Sequence, residues 1–132
     1  MRFRTLLQTL FMQRRSINRR YSLRSLARTL RIDHATLSQL LRGERRVTAR
    51  TIRILGPRLG LTADQIQRCR ALEHEAAILA ALGDERFRPD SRWLAVTLNI
   101  PLDDVNIALQ SLLRKRRLVM SSRYSWSSTV EH

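Results

Sequence analysis

The chain has 132 residues, of which 43% are hydrophobic and 27% charged, and its formal net charge is +14. This length can bury one core or two small ones. No run approaches the ~20 consecutive apolar residues of a membrane-spanning helix, so we expect no membrane partner. A single cysteine, Cys69, excludes an internal disulfide and fits a reducing cytoplasm.

The positive charge is concentrated in the first half of the chain. Residues 1–60 hold 15 Arg against Asp33 and Glu44, a net of +13, whereas residues 61–132 have a net of only +1. All but one of the 25 basic residues are Arg, whose guanidinium can donate two parallel hydrogen bonds to a phosphate or to guanine. A polyanion-binding surface is therefore predicted in the first half.

Residues 3–15 are predicted to form the first helix, because five apolar residues recur there at helical spacing. Residues 22–47 then predict two short amphipathic helices joined by a tight turn. Ser22 and Asp33 are suitable N-caps for these helices, and Gly43 stands where the second must end. With only three residues between them the helices must cross steeply, which requires a small side chain such as Ala27 at the crossing.

This arrangement strongly resembles the DNA-binding head of Cro/CI-like (XRE-type) regulators, over roughly residues 4–70. The matching features are Ala27, Ile32, Leu37-Ser38, Arg42 to Arg45 and Leu59 to Thr62. The resemblance implies a five-helix helix-turn-helix domain over residues 1–70. The family usually has Gly at the turn, where this chain has Arg31. A left-handed Arg costs about 1 kcal/mol, so either the turn is distorted or Arg31 is tolerated because it reaches a phosphate.

The next helix is predicted from the cap Thr48 to about Leu59, with Pro57 expected to kink or shorten it. Thr62 to Gln65 form a capping box for a further helix. That helix either runs on or breaks briefly before the segment 72–82.

Residues 71–132 are predicted to form a second, smaller domain. Helices are expected at 72–82, at 91–98 after the cap Asp90, and from Pro101 to the basic run 114–117. Two short β-type runs follow, separated by Ser121 and Ser122. Three helices and a hairpin resemble a winged helix, and the whole chain resembles bacterial regulators that join an XRE-type head to a winged-helix domain of unknown function. The predicted fold class is therefore mainly α.

In the resembling repressors, the second helix of the motif lies in the major groove. The corresponding candidates for reading bases are the residues of segment 34–42 that packing does not use: His34, Ala35, Ser38, Gln39 and Arg42. Gln39 can pair with adenine, Arg42 with guanine or a phosphate, and Ala35 can touch a thymine methyl. A solvated helix face is the competing interpretation. Candidates for phosphate contact are Arg20, Arg24, Arg31, Arg45, Arg46, Thr48 and Arg50.

Asp103 and Asp104 would meet phosphates if the third helix of the second domain entered a groove. We therefore expect residues 71–132 to serve dimerisation or a second protein partner rather than a second reading head. No enzyme, cofactor or metal site is predicted, because Cys69, Glu73 and His74 lack zinc-site spacing. Glu73 and Glu75 are expected on a solvated helix face.

Together these features predict a cytoplasmic, nucleoid-associated regulator of transcription from a bacterium or phage. It would bind a palindromic double-stranded DNA site as a homodimer, with the helix 34–42 in the major groove. The alternative is a protein-interaction module or antitoxin-like adaptor whose basic head binds DNA non-specifically. RNA is less favoured, because a helix cannot enter the narrow major groove of A-form RNA.

Overall fold

Most helices of the chain begin where the sequence supplies a capping side chain. The computed structural model describes residues 1–129, and these contain seven helices and a two-stranded antiparallel hairpin. A mainly α chain with a C-terminal hairpin is thus confirmed. The elements are α1 Phe3–Ile17, α2 Leu23–Leu30, α3 His34–Arg42, α4 Ala49–Arg58, α5 Ala63–Ala81, α6 Ser91–Leu98, α7 Leu102–Arg114, β1 Leu118–Ser122 and β2 Ser125–Ser128.

Residues 1–129 contain seven helices, one fewer than the sum of the five predicted for the first domain and the three predicted for the second. The segments expected to start near Thr62 and near Leu72 form one continuous helix, α5. Pro57 lies in the last turn of α4, which ends one residue later at Arg58. The winged-helix assignment of the later elements stays a prediction.

Local capping explains most helix starts. The hydroxyls of Ser22 and Thr48 accept hydrogen bonds from the third backbone N–H of their helices. The Asp33 carboxylate caps α3 by accepting from the second and third N–H, and the Asp90 carboxylate caps α6 by accepting from the second. Thr62 and Gln65 form the predicted reciprocal pair at the start of α5, with bonds of 3.1 and 2.8 Å. These side chains satisfy N–H groups that a helix cannot pair internally.

The chain divides into two compact units, and the boundary falls inside α5, after Glu73. The first unit, Met1–Glu73, has a core built from α1 to α5. Its fully buried side chains include Phe3, Leu7, Leu26, Leu30, Leu37 and Ile52.

The second unit begins at His74 and has its own core. Its most deeply buried side chains are Ile78, Leu94, Val105, Leu112 and Leu118. An aromatic group closes this core: the ring of Phe87 lies 5.7 Å from that of Trp93 and 5.9 Å from that of Trp126.

The hairpin turn is displaced from the predicted position. Ser121 and Ser122 belong to β1, and the turn is made by Arg123 and Tyr124. The strand pairing contains a register shift between Met120 and Ser122, which places Ser122 opposite Ser125. The sequence did not reveal this bulge, because serines suit a strand as readily as a turn.

The expectation of a solvated face at Glu73 and Glu75 was wrong. Both carboxylates are buried, with 8% and 3% of their surface exposed, and His74 between them is 7% exposed. Glu73 accepts two hydrogen bonds from Arg2, of 2.8 and 3.1 Å, which raise the pKa of that guanidinium. Glu75 accepts hydrogen bonds of 3.1 and 2.8 Å from Ser111 and Lys115. These partners lie 36 to 71 residues away in sequence, so the local pattern could not indicate them.

Candidate nucleic-acid interface

The corner between α2 and α3 sets the direction of α3. Arg31 ends α2 in the left-handed conformation, with φ 56° and ψ 42°, which lies close to the standard values for that region. The Ile32 N–H donates to the Ala27 carbonyl across the turn at 3.1 Å. Ala27 is only 4% exposed, as expected for the small residue at a close crossing. The turn is therefore well formed, and Arg31 takes the left-handed conformation, which glycine adopts at less steric cost.

The two faces of α3 differ in burial. Leu37 and Leu40 are 0% and 2% exposed and anchor the helix in the first core. The five predicted base-reading residues lie on the other side, within an arc of about 140° at 100° per residue. Of these, His34, Ala35 and Arg42 are exposed, and Ser38 and Gln39 are half-buried. The structure therefore brings all five together on one face that solvent can reach.

Two of these five side chains already have partners in the free protein. The Arg42 guanidinium forms an ion pair with Glu44 at 3.1 Å, and both side chains are more than half exposed. The Gln39 side-chain oxygen accepts a hydrogen bond from Arg45 at 3.1 Å. Exposed pairs of this kind contribute about 0–1 kcal/mol, so a base or phosphate can replace either partner. Both pairs lie at the C-terminal end of α3.

Residues of α1 support the C-terminal end of α3, a role that our sequence analysis missed. The Arg4 side chain donates to the Leu40 carbonyl at 2.9 Å and to the Arg45 carbonyl at 3.3 Å. Gln8 donates to the Leu41 carbonyl at 2.8 Å. Carbonyls in the last turn of a helix have no partner within the helix, and a cation there also favours the helix dipole. The only sequence signal was the placement of two polar residues beside the apolar face of α1.

The predicted phosphate-binding residues surround this corner in sequence and are exposed. Across residues 1–129, five of their guanidinium groups form no hydrogen bond or ion pair: Arg20, Arg24, Arg31, Arg46 and Arg50. Arg45 is held by Gln39. The Thr48 hydroxyl accepts the Thr51 N–H at 3.2 Å, so its oxygen acts as the cap of α4. Any phosphate contact at that helix start would therefore come chiefly from backbone N–H groups and from Arg50.

Only two acidic residues, Asp33 and Glu44, lie among the first 60 residues. The Asp33 carboxylate accepts hydrogen bonds from the backbone of Ala35 and Thr36. Glu44 is paired with Arg42. Within residues 1–129, Arg2 and Arg42 are the only two of the 15 arginines in residues 1–60 that form an ion pair, so most of the positive charge has no acidic partner.

Other kinds of site have little support in the described part of the chain. Residues 1–129 contain no group of three or more His, Cys, Asp or Glu side chains that could hold a metal ion. Cys69 is buried, and desolvation raises the pKa of its thiol. Within the same residues, no helix is both long enough and apolar enough to cross a membrane.

Comparisons of this chain with protein-family models, with curated proteins and with solved structures found no match. The resemblance to Cro/CI-like regulators therefore stays a prediction. Its physical basis is the corner at Ala27, Arg31 and Ile32 together with the solvent-facing side of α3.

Proposed function

We propose that this protein is a sequence-specific, double-stranded DNA-binding regulator of transcription. In this proposal α3 enters the major groove, where His34, Ala35, Ser38, Gln39 and Arg42 meet base edges. The exposed arginines around the α2–α3 corner and the N-terminus of α4 bind phosphates on either side. The protein is encoded by a bacterium or a phage and acts in the bacterial cytoplasm, associated with the nucleoid.

One observation supports this function above all. A short helix anchored by Leu37 and Leu40 exposes an arc of polar side chains, and that arc belongs to a part of the chain with a net charge of +13. An α-helix fits the B-DNA major groove, and arginine and glutamine are the side chains that pair bidentately with guanine and adenine. A solvated helix face would explain the exposure but not the surrounding unpaired arginine.

A homodimer completes the proposal. One recognition helix makes few base contacts, whereas two helices about one helical turn apart read a palindrome with twice the number. The palindrome then mirrors the two-fold symmetry of the protein.

The experiment is selection of bound duplexes from a random library, followed by titration of the selected site with variants. Gln39→Ala and Arg42→Ala should each weaken binding to that site about tenfold or more, since a bidentate base contact contributes about 1–3 kcal/mol. Gln13→Ala and Arg86→Ala are matched controls, because both side chains are exposed and lie outside α3. They should leave the affinity within about twofold.

Salt separates the phosphate contribution from base recognition. Binding of wild type should weaken steeply as salt rises, with a log–log slope of several units. Selection of no preferred sequence, with equal affinity for wild type and Gln39→Ala, would instead indicate a basic head that binds DNA non-specifically.

A further inference from the structure

The helical corner of the first unit recurs in the second unit. α6 begins at Ser91 and α7 at Leu102, each 68 residues after the starts of α2 and α3 at Leu23 and His34. Ala95 and Asn99 occupy the places of Ala27 and Arg31, and Asn99 is also left-handed, with φ 55°. The Ile100 N–H donates to the Ala95 carbonyl at 3.0 Å, as Ile32 does to Ala27 at 3.1 Å. The two corners therefore have the same backbone design.

The outward face of α7 has a different chemistry from that of α3. The places of His34, Ala35, Ser38, Gln39 and Arg42 are taken in α7 by Leu102, Asp103, Asn106, Ile107 and Gln110. This set contains a carboxylate and no cation, so it would repel phosphates rather than bind them. Two of its members are large exposed apolar side chains: Ile107 is 59% exposed and Leu102 is 38% exposed. A face of this kind favours contact with protein.

Four residues form a stripe along the exposed side of α7: Asp103, Ile107, Gln110 and Arg114. They are spaced by four, three and four residues, which places them on one side of a helix. The opposite side is buried in the second core through Val105, Ala108, Leu109 and Leu112. The stripe begins with an exposed acid, has an apolar side chain near its centre and ends with an exposed base.

The stripe is complementary to itself when reversed. Residues 103 and 114 have the same midpoint as residues 107 and 110. An antiparallel copy of α7 on a two-fold axis through that midpoint would place Asp103 opposite the Arg114 of the other copy, at both ends of the contact. Ile107 of each copy would lie against Gln110 of the other. Such self-complementarity is what a two-fold interface between identical chains requires.

We propose that this stripe of α7 is the homodimer interface, in which it pairs antiparallel with the same stripe of a second copy. This interface rests on the proposed function, because reading a palindromic site is what requires a dimer. The stripe spans 12 residues, about 17 Å of helix, and the contact has one apolar side chain from each copy near its centre. A contact of that size gives a weak dimer, with a Kd in about the micromolar range, which binding to a two-fold DNA site would strengthen.

Charge exchange tests the pairing directly on the full chain, by sedimentation equilibrium without DNA. Asp103→Arg alone and Arg114→Asp alone would each place like charges opposite at both ends and raise the dimer Kd about tenfold or more. An equimolar mixture of these two variants should associate again, because each acid then meets a base. The double variant D103R/R114D should recover the wild-type Kd to within about threefold. Glu85→Arg and Arg88→Asp are charge-matched controls at exposed positions off α7 and should leave the Kd unchanged.

Folding is checked by circular dichroism on each variant. Charge reversal at the ends of α7 opposes the helix dipole, so the double variant should melt below either single variant. Recovery of the dimer despite that lower melting temperature cannot come from improved folding. A wild type that stays monomeric at about 100 μM, far above the expected micromolar Kd, or single variants that dimerise like wild type, would overturn this interface.

The same set separates failure of the interface from failure of the proposed function. Half-site duplex binding by α3 is measured on a monomeric variant. If charge exchange behaves as expected but Gln39→Ala leaves DNA recognition unchanged, the interface stands and the DNA-reading proposal fails. If Gln39→Ala weakens DNA recognition but the charge-exchange variants dimerise like wild type, the protein reads DNA and dimerises through another surface.

Discussion

Arg31 holds a backbone conformation that costs a non-glycine residue about 1 kcal/mol. The resemblance to Cro/CI-like regulators places a left-handed residue at this position, but the sequence did not indicate whether the turn would distort. The N–H groups of Arg31 and Ile32 are both bonded to carbonyls of α2, so the chain is held in the turn by main-chain hydrogen bonds. The arginine is therefore retained at a cost in stability.

Arg31→Gly should stabilise the first unit by up to about 1 kcal/mol, because Gly adopts the left-handed region without steric strain, although its flexible unfolded state offsets part of the gain. If Arg31 contacts a phosphate, the same change should lower the salt slope of DNA binding by about one unit. Urea unfolding and salt titration measure the two effects. Asn99→Gly is the matched control: Asn tolerates this conformation better than Arg, so its gain should be smaller.

Cys69 is a second residue whose surroundings fix its behaviour. Burial raises its pKa above the ordinary 9.0, so a smaller fraction is thiolate at any given pH in the folded protein. Alkylation at pH 8 should be much slower in the native protein than in urea. As the pH rises through the ordinary thiol pKa, the unfolded state ionises first and the folded state loses stability. Native-state labelling at the rate of a free peptide thiol would contradict this account of the burial.

At the scale of elements, α3 depends on contacts from α1. Arg4→Ala removes the hydrogen bonds to the Leu40 and Arg45 carbonyls and should destabilise the first unit by about 1.5–3 kcal/mol, the range for hydrogen bonds to a charged group. DNA affinity should fall more than the lost charge explains, because the end of α3 and the following loop loosen. Arg15→Ala removes the same charge from an exposed position of α1 and is the control. Equal effects of the two changes on hydrogen exchange in α3 would disprove the supporting role.

The helix starts could be predicted because caps act over two or three residues. Ser22, Asp33, Thr48 and Asp90 each bond to a nearby N–H of their own helix, so sequence neighbours carry the information. The continuity of α5 was one of the two alternatives that the sequence left open, and the absence of Pro and Gly from α5 agrees with it. The bulge in β1 could not be predicted, because Ser121 and Ser122 gave a turn signal at positions that belong to the strand.

Contacts between residues far apart in the sequence could not be predicted either. Arg2 with Glu73, Arg4 with the end of α3, and Arg58 with the Leu30 carbonyl join residues 28 to 71 positions apart. The exposed arc of α3 could be predicted from helical spacing alone. The side-chain pairs on this arc, Arg42 with Glu44 and Gln39 with Arg45, could not be predicted, because each arginine had several possible partners.

At the scale of the whole molecule, the chain has two separate cores, one in each unit. A cavity in one core need not weaken the other. Leu94→Ala in the second unit should reduce the stability of that unit by about 2–5 kcal/mol, because Leu94 is fully buried. Amides of α6 and α7 should then exchange faster, while those of α2 and α3 keep their protection and half-site DNA binding persists. Equal acceleration in both units would show a single cooperative core instead.

Both tryptophans of the chain, Trp93 and Trp126, pack around Phe87 in the second core. Tryptophan fluorescence therefore reports on the second unit alone, and a melting curve recorded by fluorescence does not detect unfolding of the first unit. The lone thiol at position 69 belongs to the first unit, so the natural sequence already carries one optical and one chemical reporter for separate parts of the protein. Adding a DNA duplex should therefore leave the tryptophan emission unchanged, even when binding is tight.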